Sequence, residues 1–162
     1  MSAVLEKITP GKIDFIIFTD PFSVKNSPHW RKRNGGILYR YLERVARRQY
    51  NLKNDVEPWQ HPSQTTRFVD GNFIYEFLNT ENVFDRQLGY SDLLAIQAKG
   101  VEVFRALFKG KKLFAWRSIV KNRGRSHSVP YLEERAGRLV INWCWLIIRW
   151  DENNVALQFK SL

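Results

Sequence analysis

Four carboxylates, Asp14, Asp20, Asp70 and Glu76, stand on or beside segments that read as strands. Converging carboxylates are what a magnesium-dependent nuclease needs to hold its metal, usually with a lysine nearby to assist the attacking water. Here Glu76 is followed by Phe77 and Leu78, so an acid-x-lysine spacing is absent, and Asp70 is accounted for by a turn with Gly71. A second chemistry is metal-free RNA cleavage, in which two histidines act as acid and base because imidazole titrates near neutrality. His29 and His127 each lie in a basic stretch and form the available pair, although no sequence pattern brings them together. Ser126 beside His127 is not a triad, because chain neighbours cannot reach that geometry. If the chain is a nuclease, its catalytic candidates are therefore Asp14, Asp70, Glu76, His29 and His127, with Mg2+ as cofactor of the carboxylate version. Otherwise no cofactor and no metal is expected. The segment "RNGG" lacks the lysine-serine ending of a phosphate-cradling loop, and clusters of histidine and cysteine are absent.

The basic residues speak more clearly. In "HWRKRNGGILYRYLERVARRQY", residues 29–50, Arg31, Lys32, Arg33, Arg40, Arg44, Arg47 and Arg48 surround a single glutamate, with aromatics threaded between. A second window, 99–125, holds nine lysines and arginines against one acid, Glu102, and ends in Arg123 and Arg125. Clustered guanidinium groups grip phosphate with paired donors at fixed geometry. This patterning predicts a nucleic-acid-binding surface made of Arg31, Lys32, Arg33, Arg40, Arg44, Arg47, Arg48, Arg123 and Arg125, with Trp30 as the favoured stacking ring. Trp59, in a polar context beside Gln60 and His61, is a second ring of that kind, whereas Phe114, Trp116 and the tryptophans near the end read as core. DNA and RNA stay equally open. Besides the nuclease, the alternative is a basic matrix or assembly protein whose charged face meets an anionic membrane or an acidic protein.

Elements must position these groups. "KIDFIIFTD" reads as a strand closed by Asp20-Pro21. "GGILYRYLERVARRQY" has helical spacing, with Ile37, Leu38, Tyr41, Leu42 and Val45 on one face and the arginines opposite. "VEPWQHPSQ" reads as a loop, and "TTRFVDGNFIYEFL" as a hairpin turning at Asp70-Gly71, since Phe73, Tyr75 and Phe77 alternate with other residues. A helix is predicted from a Ser91 cap through Gly100 to a stop at Gly110. Residues 111–121 read as one strand, 122–130 as a basic loop, and "YLEERAG" as a helical turn or two. The apolar run 139–148 reads as a central strand, paired through a turn at 151–154 with "VALQFKSL" in a closing hairpin able to serve as a homo-oligomer seam.

The first six of these elements follow the βαββαβ order of a ferredoxin-like unit. The expected architecture is one α+β domain over residues 1–162, an antiparallel sheet with two main helices and a C-terminal β-hairpin. Composition suits a folded chain: 162 residues, 44% hydrophobic and 14% aromatic, with a net charge of +10. That charge predicts a polyanionic partner and says nothing about reaction type. Cys144 is the single cysteine, which fits a reducing, cytoplasmic setting. Met1 to Lys7 lacks a signal-peptide layout, and the run 139–150 is too short to span a bilayer as a helix.

Overall fold

The computed structural model describes residues 12–20, 37–38, 49–81, 83–121 and 127–160. They form one α+β body whose longest strand pair is a hairpin that local sequence concealed. β8 (His127–Arg135) and β9 (Arg138–Trp145) pair from Ser128↔Trp145 to Arg135↔Arg138. Ala136 and Gly137 make the turn, with φ of 49° and 77°. Two consecutive positive φ angles suit the right-handed twist of a tight hairpin, and glycine takes the second without strain. "YLEERAG" is thus a strand end and a turn rather than helix, because cross-strand pairing outweighs the helix propensity of Leu132, Glu133 and Glu134.

Around β8 the other strands assemble in the order β2-β7-β8-β6-β11-β4, with β9 on β8's remaining edge. β7 (Val120–Lys121) and β6 (Lys112–Phe114) share the edge opposite β9. The strand expected over 111–121 is therefore two strands, separated by a turn at Trp116-Arg117. β11 (Asn154–Phe159) runs parallel to β6 and antiparallel to β4 (Val56–Trp59), so the sheet is mixed rather than antiparallel throughout. β4 replaces the loop expected there. Its Pro58 is tolerated because β4 is the outermost strand of that order, where a missing N–H can face outward. β10 (Arg149–Trp150) pairs with β5 (Val69–Asp70), so the closing hairpin expected on either side of 151–154 does not form. Nor is 139–148 one central strand: β9 ends at Trp145, and among the described residues it pairs only with β8.

β2 (Ile37–Leu38) pairs with β7, and β3 (Gln49–Asn51) with β1 (Ile16–Phe18). Both ends of the helix expected over 35–50 are thus strand, drawn there by ladder partners, while residues 39–48 lie outside the described residues. The strand read at 12–20 is present as β1.

Where a hairpin was expected stands a helix, α1 (Gly71–Thr80), so the ferredoxin-like order does not hold. Asp70 is its N-cap: the carboxylate accepts the Asn72 N–H at 2.8 Å. Ile74 and Leu78, four apart, are buried. The period-two aromatics Phe73, Tyr75 and Phe77 masked this period-four core pair. α2 (Tyr90–Lys99) and α3 (Val101–Phe108) replace one long helix, because Gly100 takes φ of 97° and breaks it. Ser91 lies buried within the first turn; the N-cap is Gly89, whose N–H donates to the Asp92 carboxylate at 2.7 Å. The stop predicted at Gly110 is there, with φ of 75°.

The sheet divides the core. Leu113, Leu132, Ile141, Leu157 and Phe159 face α2 and α3 with Ile17 and Tyr50, while Phe114, Val129, Tyr131 and Ala156 face α1 with Trp116 and Trp150. Helices thus cover both sheet faces. The tightest contact is at the start of α1: a Cβ on Gly71 would sit 2.3 Å from Trp150 Cζ3 and 2.4 Å from the Leu146 carbonyl oxygen. The backbone oxygen cannot rotate aside. Gly71→Ala is expected to lower stability by about 1–3 kcal/mol through overpacking, and Asp70→Ala by about 1 kcal/mol through loss of the cap. Urea denaturation of each variant measures both.

Candidate nucleic-acid interface

The arginine-rich cluster on which the sequence reading centres falls largely beyond the described structure. Trp30, Arg31, Lys32, Arg33, Arg40, Arg44, Arg47, Arg48, Arg123, Arg125 and His29 all lie outside the described residues. The second basic window is described through residue 121, and much of it is engaged by polar partners within the fold. Lys99 Nζ meets Asp14 at 2.8 Å, Arg105 Nε donates to Glu134 at 2.8 Å, and Lys112 Nζ is 4.0 Å from Glu133. Arg117 is buried, 3.8 Å from Asp85. Lys111 caps the 151–154 turn through the Asn153 side chain. These cations staple helices and strands together; they do not form one free electropositive face. Spacing along the chain could not show this, because each carboxylate partner comes from a distant segment.

The carboxylate candidates likewise have structural duties. Asp14 accepts from Lys99 and from the Ile16 N–H at 3.0 Å, which hold its carboxyl below the usual range. Asp70 caps α1, and Glu76 is exposed on that helix. His127 opens β8, with its ring stacked on Tyr75 at a centroid distance of 5.6 Å. Among the described residues no three His, Cys, Asp or Glu side chains converge in a group able to hold a metal ion. The carboxylates are not gathered into a catalytic cluster.

What the structure does gather is a rim of exposed rings and aliphatic side chains that sequence reasoning missed. Phe68 and Phe73 flank the β5–α1 junction, Trp145 ends β9, and Ile147 and Ile148 lie in the turn from β9 to β10. The two segments are joined through Arg149↔Asp70 and Trp150↔Val69 pairing and a Gly71 N–H to Ile148 O bond of 3.2 Å. Arg67 and Arg149 sit in the same segments, and neither forms an ion pair among the described residues. The available signal was length. A buried strand runs about 4–8 residues, and the apolar run 139–150 exceeds that, so part of it had to leave the sheet. Trp145 is exposed although it is still paired with Ser128 at the end of β9, while Phe114, Trp116 and Trp150 are core as expected. Trp59 is half-buried and tilted against Phe77.

His61 braces this rim from below. Its ring meets Phe73 and Phe77 edge-on at 4.9 and 4.8 Å, and Nδ1 accepts the Ser63 N–H at 3.1 Å. Its own N–H donates to Gln64, which in turn donates to the carbonyls of Asp151 and Asn154. Burial, reinforced by the Arg67 charge, pushes the imidazole down from its ordinary value, so the folded chain prefers it neutral.

No protein family matches this chain, and neither curated proteins nor solved structures return a match. No helix among the described residues is long and apolar enough to cross a membrane.

Because His61 binds its proton more weakly folded than unfolded, its contribution to stability is complete above about pH 6.5 and is lost as pH falls through the lowered folded value. His61→Asn, which keeps a side-chain acceptor, should flatten the fall in melting temperature between pH 7 and 5 relative to the parent chain.

Proposed function

We propose that this chain is a nucleic-acid-binding protein whose contacts are mainly to phosphate. The observation that carries the reading is arithmetic: 26 lysines and arginines against 16 acids leave a surplus of ten. An ion pair cancels one positive charge against one negative, so the pairs made by Lys99, Arg105, Lys112 and Arg117 leave the net surplus unchanged. Ten positive charges stay uncancelled even if every carboxylate is matched. Their concentration in residues 31–48, with arginine dominating, supports phosphate as that partner, because the guanidinium fork binds it with two donors. The contacts assigned are Arg31, Lys32, Arg33, Arg40, Arg44, Arg47 and Arg48, joined by Arg123 and Arg125, with Trp30 stacking on a base. Binding of this type needs no cofactor, and a lone cysteine is compatible with a cytoplasmic location. Strand cleavage has less support, since Asp14 and Asp70 are engaged in holding the fold.

Reversing Arg44→Glu and Arg48→Glu together should weaken binding to labelled DNA and RNA by about tenfold or more. It should also flatten the dependence of log affinity on log salt by roughly two. Unchanged gel-shift affinity at moderate salt, with circular dichroism showing an intact fold, would refute the proposal.

A further inference from the structure

Among the described residues six large apolar side chains are markedly exposed, and five belong to the rim: Phe68 (63%), Phe73 (48%), Trp145 (49%), Ile147 (60%) and Ile148 (51%). Single exposed apolar residues are ordinary, but five carried on two segments that a β-ladder joins make a candidate binding surface. This frame is rigid for stated reasons. Gly71 lets α1 start in contact with Trp150 and the Leu146 carbonyl, and Asp70 caps the helix. The β5–β10 ladder fixes the two segments together, and His61 holds the Phe73 ring edge-on. The backbone that carries these side chains, and the Phe73 ring, are therefore held before any ligand arrives, which lowers the entropic cost of binding.

We propose that this rim is a stacking platform for unpaired bases: Phe68, Phe73 and Trp145 take the base faces, and Arg67 and Arg149 take the adjoining phosphates. The proposal rests on the nucleic-acid reading and deepens it to single-stranded or unpaired substrates. Charge complementarity selects this occupant. Among the described residues Arg149 makes no ion pair even though the exposed Asp70 is its ladder partner, because the Asp70 carboxylate is aimed at the Asn72 N–H. Arg67 is likewise without an ion pair among the described residues, so the two segments that carry the rings also carry two guanidinium groups that no described carboxylate pairs. The remaining carboxylates near the rim are Glu76 on α1 and Asp151 after β10, and Asp151 accepts the Asn153 N–H. Alternating rings and cations are how proteins track single strands, since every base has a face to stack and every link a phosphate. A duplex keeps its base faces buried and cannot use such a platform.

The test uses the full chain and fluorescence anisotropy with a labelled twelve-nucleotide oligothymidine, a duplex of equal length, phosphatidylserine vesicles and polyglutamate. The rings are exposed, so Phe68→Ala and Trp145→Ala should leave the circular dichroism spectrum unchanged. Each is expected to lower single-strand affinity about tenfold, with duplex affinity little altered. Trp145→Phe, which keeps a flat ring, should restore most of the loss, and oligothymidine should quench less tryptophan fluorescence in Trp145→Ala than in the parent. If both alanine variants bind oligothymidine as the parent does while Arg44→Glu with Arg48→Glu abolishes binding, the platform falls and the phosphate reading stands. If the parent binds neither nucleic acid, both fall. Loss of vesicle or polyglutamate binding in the alanine variants, with oligothymidine affinity kept, assigns the rim to lipid or acidic protein and overturns the proposal.

Discussion

β8 is buried on both faces from Ser128 to Leu132 and has ladder partners on both edges, and the rest of the structure is arranged to satisfy those two demands. An internal strand needs partners for its backbone polar groups on either side; β9 supplies them along one edge, and β7 and β6 divide the other. Pro130 falls between the residues paired with β7 and those paired with β6, where the missing donor costs least. Burial of both faces then requires a helix layer on each. α2 and α3 cover Leu132 and its neighbours, and α1 covers Val129 and Tyr131. Only toward its end, from the buried Glu133 to the exposed Arg135, does it become charged, and there its carboxylates collect Arg105, Lys112 and Arg135.

That arrangement explains why basic density along the chain is a poor guide to an electropositive face. Arg105 clamps α3 to β8, and Lys99 ties α2 to the segment before β1. Both look like free surface charge in sequence because Glu134 and Asp14 are 29 and 85 residues away. Net charge is immune to such pairing, whereas location is not. The surplus survives as a property of the whole chain, and the distribution has to be read from the fold.

Local signals carried the parts of the fold that local physics decides. The β-branched run at β1 and the left-handed stop at Gly110 were legible for that reason. Three features depend on distant partners and were not. The helix at 71–80 is chosen by burial of Ile74 and Leu78 against Trp150 and its neighbours, against an aromatic alternation that favours a strand. The 145–148 turn leaves the sheet because β10 has β5 to pair with. The two-residue turn at Ala136-Gly137 is imposed by the β8–β9 register, with Ala136 accepting a φ it would otherwise avoid. The exposed rim shares this origin in part: Ile147 and Ile148 are as apolar in sequence as core residues are, and the turn into β10 puts them at the surface.

β11 lies between β4 and β6, two strands that both precede it in the chain, and its pairing with β6 is parallel. Until β11 is in place those two neighbours have facing edges with unmet hydrogen bonds, and the Gln60 and Gln64 side chains have no 151–154 carbonyls to hold. A growing polypeptide therefore presents β4 and β6 before the strand that joins them. Uniting them through β11 is a long-range pairing, of the kind that topology makes slow. Strand edges left open for such an interval are the kind that invite mispairing.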